Sequence, residues 1–158
     1  MFEQYREMEN SLHEVSNWIG RIVRLLSGFG SPAPETYLAA TRAIRGLQEA
    51  WMLHLDIERV LFPRMLCRNL LSAESLGRIT ASNQAIETQL DAILSASWPR
   101  SPQAGIQSVR TGAARIVCQV LAQIESERAL ILPAILRMDR REPAVVHVET
   151  ETSELMTT

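Results

Sequence analysis

Two pairs of polar side chains stand four residues apart within otherwise apolar helical patterns: His54 with Glu58, and Gln123 with Glu127. Groups four apart on an α-helix leave the same face one above the other, so each pair presents two polar heads to one point. Imidazole and carboxylate together make a chelating set suited to iron, zinc or manganese. His13 and Asn83 hold comparable mid-segment positions in two further apolar stretches, and His13 offers a third or fourth ligand from its own segment. The amides of Asn83 and Gln123 are poorer ligands and favour hydrogen bonds. Burying a carboxylate or amide alone costs several kcal/mol, so polar groups that meet in a core need one another or an ion.

The elements that must position these groups are four amphipathic helices. One stripe runs Ala40, Ile44, Leu47, Trp51, His54, Glu58, Leu61 and Met65, in steps of three and four that keep one face inward. A second runs Ala113, Ile116, Val120, Gln123, Glu127, Leu130 and Ala134, and a third runs Leu76, Ile79, Asn83, Ile86, Leu90 and Ile93. In the first segment Leu12, Val15, Ile19, Ile22 and Leu26 form the seam, with His13 on its shoulder. Gly and Pro punctuate the chain at 27–34, 67–77 and 97–103, which predicts helices over 2–28, 35–70, 74–97 and 103–139. Pro63 and Pro133 fall inside helical patterns, where each removes a hydrogen bond and is expected to kink or end the regular part. Residues 1–140 read as the bundle and 141–158 as a flexible acidic tail, with a short strand at AVVHV as a minor alternative. His147 in that tail is assigned no site.

Composition narrows the function classes. A chain of 158 residues suits one domain that buries roughly two-thirds of its unfolded surface. With 46% apolar and 22% charged residues and no long apolar run, it reads as a cytoplasmic protein with no membrane partner. All 16 basic residues are arginine, and they are scattered under a net charge of -2, which argues against a nucleic-acid partner. Cys67 and Cys118 are too few for a disulfide framework and read as reduced packing residues. There is no Glu-x-x-His for a ferritin-like carboxylate site, no nucleophile elbow and no Gly-rich phosphate loop, so an enzyme is not expected.

The halves of the chain echo one another. HLDIERVLFPRML and QIESERALILPAIL align through their Glu-Arg pairs, each followed by proline. With His13 and Asn83 at corresponding places, two similar hairpins would bring the polar breaks into one cavity, as in an all-α, up-down-up-down four-helix bundle.

At these residues the chain resembles the hemerythrin-like, or HHE cation-binding, family. That family has a His on its first helix, a His-x-x-x-Glu followed by Leu-Phe-Pro on the second, a His on the third and a second His-x-x-x-Glu on the fourth. His13, His54, Glu58, the Leu61-Phe62-Pro63 run, Glu127 and Leu132-Pro133 match it over about residues 5–138. The resemblance implies a hemerythrin-like four-helix bundle, bound iron, O2 or NO as ligand, and iron handling or redox sensing. Asn83 and Gln123 stand where the third and fourth histidines would be, which deprives one iron of a pair of most of its nitrogens.

Two readings follow. In one, His13, His54, Glu58 and Glu127 hold a single ion or an altered di-iron site, with Glu87, Asp91 or Glu125 as helpers. In the other, the site is degenerate and metal-free, its polar groups satisfy each other, and the protein is a non-enzymatic regulatory or sensing bundle with a protein partner. Trp51 and Met65 are expected in the core, Arg59, Arg128 and Glu125 on solvated faces. Trp18, Phe29 or Trp98 are candidates for a dimer contact.

Overall fold

A computed structural model describes residues 2–27, 34–95 and 102–141, apart from the side chains of 34, 102–106, 139 and 141. Four helices account for nearly all of it: α1 (Glu3–Ser27), α2 (Pro34–Cys67), α3 (Ala73–Ser95) and α4 (Pro102–Arg141). The expected elements are all present, and no strand occurs among the described residues. The tail expected beyond Arg141, its AVVHV segment, Phe29 and Trp98 lie outside the described residues. None of the described helices is long and apolar enough to cross a membrane.

Local chemistry explains the one connection that is described. Asn69 adopts φ 52°, the left-handed conformation that Asn tolerates, and ends α2 in a Schellman motif. Its amide bonds the Leu66 carbonyl at 3.0 Å, and the Leu70 amide bonds the Met65 carbonyl at 2.9 Å. Ser72 then caps α3, its hydroxyl accepting the Ser75 amide at 3.1 Å. Arg137 and Arg68 tie this corner to α4, donating to the Leu70 and Met138 carbonyls respectively.

Pro63 and Pro133 do not end their helices; α2 runs on to Cys67 and α4 to Arg141. Both prolines are exposed, so the carbonyls they leave unbonded can be hydrated.

α1 and α3 each pack against α2 and α4, while α2 and α4 also touch across the bundle and α1 and α3 do not. The α2–α4 pair is therefore the short diagonal. Along it the core is apolar above and below a single polar layer. Trp51, Leu47 and Ile44 of α2 and Ile116 and Val120 of α4 lie on one side, and Leu61, Met65, Ile131 and Ile135 on the other, all essentially inaccessible. Burial of a Leu- or Ile-sized side chain stabilises by about 1.5–3 kcal/mol, so these layers supply the free energy that holds the polar layer in place. The α4 stripe differs at one step from the expected one. Ile131 is buried and Leu130 is 38% exposed, because the face advances by four residues after Glu127 rather than three.

Gly46 is a close-approach position. A Cβ there would lie 2.5 Å from the Trp18 ring, and the missing side chain lets the indole of α1 lie against α2. Arg21 covers Trp18, its guanidinium carbon 4.3 Å from the ring centroid. Cys67 and Cys118 are free thiols, as expected, but both are exposed rather than packed in the core.

Candidate metal centre

The buried polar side chains among the described residues are His54 and Glu58 from α2, Asn83 from α3, and Gln123 and Glu127 from α4. They lie in one layer. His54 Nε2 is 2.7 Å from Glu127 Oε2 across the short diagonal and 3.6 Å from Glu58 Oε1 on its own helix. The amides face the carboxylates: Asn83 Nδ2 donates to Glu58 Oε2 at 2.5 Å, and Gln123 Nε2 donates to Glu127 Oε1 at 2.7 Å. Trp51 forms one wall of the layer, its ring centroid 5.2 Å from that of His54.

The helix α1 contribution is different from the expected one. His13 is exposed and does not reach the layer. Ser11 does, with its hydroxyl 3.2 Å from His54 Nδ1. Both residues flank Leu12, one on each side of the buried seam, and the side that turns toward α2 is the Ser11 side. A hydroxyl both donates and accepts, so Ser11 supports Nδ1 whether or not that nitrogen carries a proton. The expected helpers also stand elsewhere. Asp91 is exposed and accepts a bond from Gln48, and Glu125 is exposed beside Arg128. Glu87 is half-buried at the edge of a cleft between α2 and α3.

Electrostatics in the layer follow from three titratable groups sharing a buried space. Burial pulls the His54 pKa down, but the hydrogen bond to Glu127, the close contact with Glu58 and the negative charge of both outweigh it, leaving it raised to about 9. Burial pushes Glu58 up, the His54 contact pulls it back, and the Glu127 charge raises it again, to about 7. An imidazolium, one carboxylate and one carboxylic acid sum to zero charge, which is the form a low-dielectric site favours.

Two buried oxygens of the layer accept no hydrogen bond: Glu58 Oε1, 3.6 Å from His54, and Asn83 Oδ1. Acceptors of this kind are open to a further partner. His54 Nε2, an oxygen of Glu58 and an oxygen of Glu127 all lie within 4.8 Å of one another. One divalent ion with bonds of about 2.1 Å can be reached by such a set after small side-chain adjustments. Two carboxylates would balance its charge, with His54 neutral. The residues present therefore fit one ion. A second ion does not fit, since Asn83 and Gln123 point their NH2 donors at the carboxylates and leave no further imidazole in the layer.

Spacing alone brought out His54, Glu58, Asn83, Gln123 and Glu127, and all five meet. Ser11 was missed, because a lone serine beside an apolar seam carries no signal until the rotation of α1 is known. Compared with protein-family models, with curated proteins and with solved structures, the chain matches none.

Proposed function

We propose that the chain is a hemerythrin-like, up-and-down bundle with a partly degenerate centre. It acts as a non-enzymatic sensor or regulator that takes up a single divalent ion, iron in the cell, in exchange for protons. The observation that carries this reading is the convergence of one imidazole and two carboxylates in a buried layer whose remaining positions are amides. His54 Nε2, Glu58 and Glu127 would hold the ion. Ser11 would then accept the Nδ1 proton of His54 and fix the tautomer that leaves Nε2 free, the usual outer support of a ligating histidine. Iron held by only three residues would supply redox chemistry and positions open to O2 or NO.

Exchange is what makes such a centre a reporter. With two protons, on His54 and Glu58, the layer is neutral; with one divalent ion in their place it is neutral again. The Gln123 and Asn83 donors stay on their carboxylates or turn with them, so uptake replaces the direct His54–Glu127 bond between α2 and α4 by a shared ion without unpacking the core. A change of that kind, passed to the exposed apolar side chains Leu53 and Val60 of α2, is a means of signalling to a protein partner.

The test is to express the protein with iron, measure its metal content, strip it, and melt the stripped form with and without Fe2+, Mn2+ or Co2+. About one ion per chain is expected, with stabilisation of about 2.7 kcal/mol at an ion concentration 100 times Kd. A content near zero, and melting curves indifferent to every ion, would overturn the metal reading.

A second reading keeps the bundle and loses the ion. The direct His54–Glu127 bond and the two amide donors favour it, because they nearly close the network without metal. It requires that chelators leave stability unchanged.

A further inference from the structure

A cleft of ≈ 150 Å³ between α2 and α3 leads from the surface to the polar layer. Its inner wall is Glu58 and Asn83, each 3% exposed, and these carry the two oxygens of the layer that accept no hydrogen bond. Its outer wall includes exposed Thr80 and Gln84 and half-buried Glu87, which stand with Asn83 along one face of α3. The larger cavities at Gln4–Val60, Trp18–Arg42 and Phe2–Asn10 are walled by other residues and do not reach the layer.

We infer that divalent cations enter and leave the His54, Glu58, Glu127 centre through this α2–α3 cleft, with Glu87 as the carboxylate that collects them at the mouth. The inference rests on the metal reading above and adds the route. Oxygen-bearing side chains line the cleft beside Leu55 and Phe62: exposed Gln84 and Thr80, half-buried Glu87, then buried Asn83 and Glu58. A cation shedding water needs such a series, since each lost water must be replaced by another oxygen. The opposing charge in the wall, Arg59, is drawn off by Asp56, which accepts its Nη1 at 2.5 Å. With that pair balanced, Glu87 leaves the mouth negative. The first ligand it reaches is Glu58, whose Oε1 accepts no hydrogen bond that must first be broken.

Stopped-flow mixing of stripped protein with Co2+, followed by its absorption, and release into excess chelator measure the two rates. Thr80→Trp places a ring across the mouth. It is expected to slow uptake and release alike, by about tenfold or more, with Kd within about twofold, as a blocked passage changes rates and not the end states. Glu87→Gln keeps the shape and removes the charge. Uptake should slow about threefold, and its dependence on ionic strength should weaken. Leu38→Trp, at an exposed position of α2 outside the cleft wall, serves as the comparison and should leave both rates unaltered. Co2+ uptake at wild-type rates in both the Thr80 and Glu87 variants would overturn the route and leave the metal site standing. A wild-type protein that takes up no Co2+ overturns the two together.

Discussion

On α4, Glu127 has both oxygens engaged, one by Gln123 of its own helix and one by His54 from across the bundle, and the residue is wholly buried. On α2, Glu58 has one oxygen bonded by Asn83 while the other accepts no hydrogen bond and lies 3.6 Å from His54, and the residue lines a cleft. The two helices carry the same device, a carboxylate four residues after a polar partner, and differ in whether that partner is an imidazole or an amide. The amide of Gln123 holds Glu127 with a fixed donor, whereas His54 is drawn away from Glu58 to the opposite helix. One half of the layer is closed and structural, the other open and exchangeable.

The largest effect should come from breaking the closed half. Glu127→Ala strips the 2.7 Å partner from a buried imidazole that carries charge up to a pH of about 9. Removal of one member of a buried pair costs about 3–5 kcal/mol, so thermal melting of the stripped protein should fall by roughly 10–20 °C. Glu58→Gln should act quite otherwise. Its neutral amide keeps an oxygen for Asn83, and at pH 8 it replaces a carboxylate that burial already disfavours, so stability should change by less than about 1 kcal/mol. The same change should abolish stabilisation by Co2+. Equal losses in the two variants would erase the distinction between the halves.

Next in size is the pH dependence. Glu58 is raised from 4.5 to about 7, so the folded protein holds a proton that the unfolded chain has lost, and its contribution to stability falls as pH climbs through that range. His54, raised from 6.5 to about 9, contributes fully below 6.5 and loses that contribution as pH climbs to 9. Both slopes have the same sign. Melting of the stripped protein should therefore decline by several degrees between pH 5 and 9. Ion affinity should move the opposite way, because uptake displaces those protons. Melts at five pH values with and without Co2+ separate the two trends, and a stripped protein that gains stability toward pH 9 would contradict the assignment of charge.

A smaller change sharpens the comparison. Gln123→His makes the α4 pair like the α2 pair and adds a nitrogen to the layer. Co2+ affinity by titration should rise about tenfold, worth about 1.4 kcal/mol. No gain would mean that the α4 side is too tightly packed to lend a ligand.

How far the residues announced this arrangement varies with the interaction. Helices and the polar layer were legible because burial repeats with the helical period, and a polar residue on a buried stripe has nowhere to go but the core. His54, Glu58, Asn83, Gln123 and Glu127 are all of this kind. The stripe spacing favours Leu130 where the structure buries Ile131, because two adjacent apolar residues fit a period of 3.6 equally well. The exposure of Cys67 and Cys118 was illegible for the related reason that composition says what surrounds a residue in sequence and not which way it turns.

His13 and Ser11 show the limit most plainly, and they provide the smallest of the expected effects. Each is one residue from Leu12, so they sit about 100° to either side of the buried direction, and periodicity treats the two flanks as equal. Chemistry favoured the imidazole over the hydroxyl; the rotation of α1 against α2 decided for the hydroxyl. Ser11→Ala removes the group 3.2 Å from His54 Nδ1 and should cost about 1 kcal/mol, with a fall in ion affinity, since the tautomer that frees Nε2 loses its support. His13→Ala removes an exposed ring and should stay within about 0.5 kcal/mol, with ion affinity unchanged. Melting and Co2+ titration of the two variants side by side decide between the flanks. If His13→Ala weakened binding and Ser11→Ala did not, α1 would have to be turned by some 200° about its axis, and the seam of Leu12, Val15 and Ile19 could not then be buried.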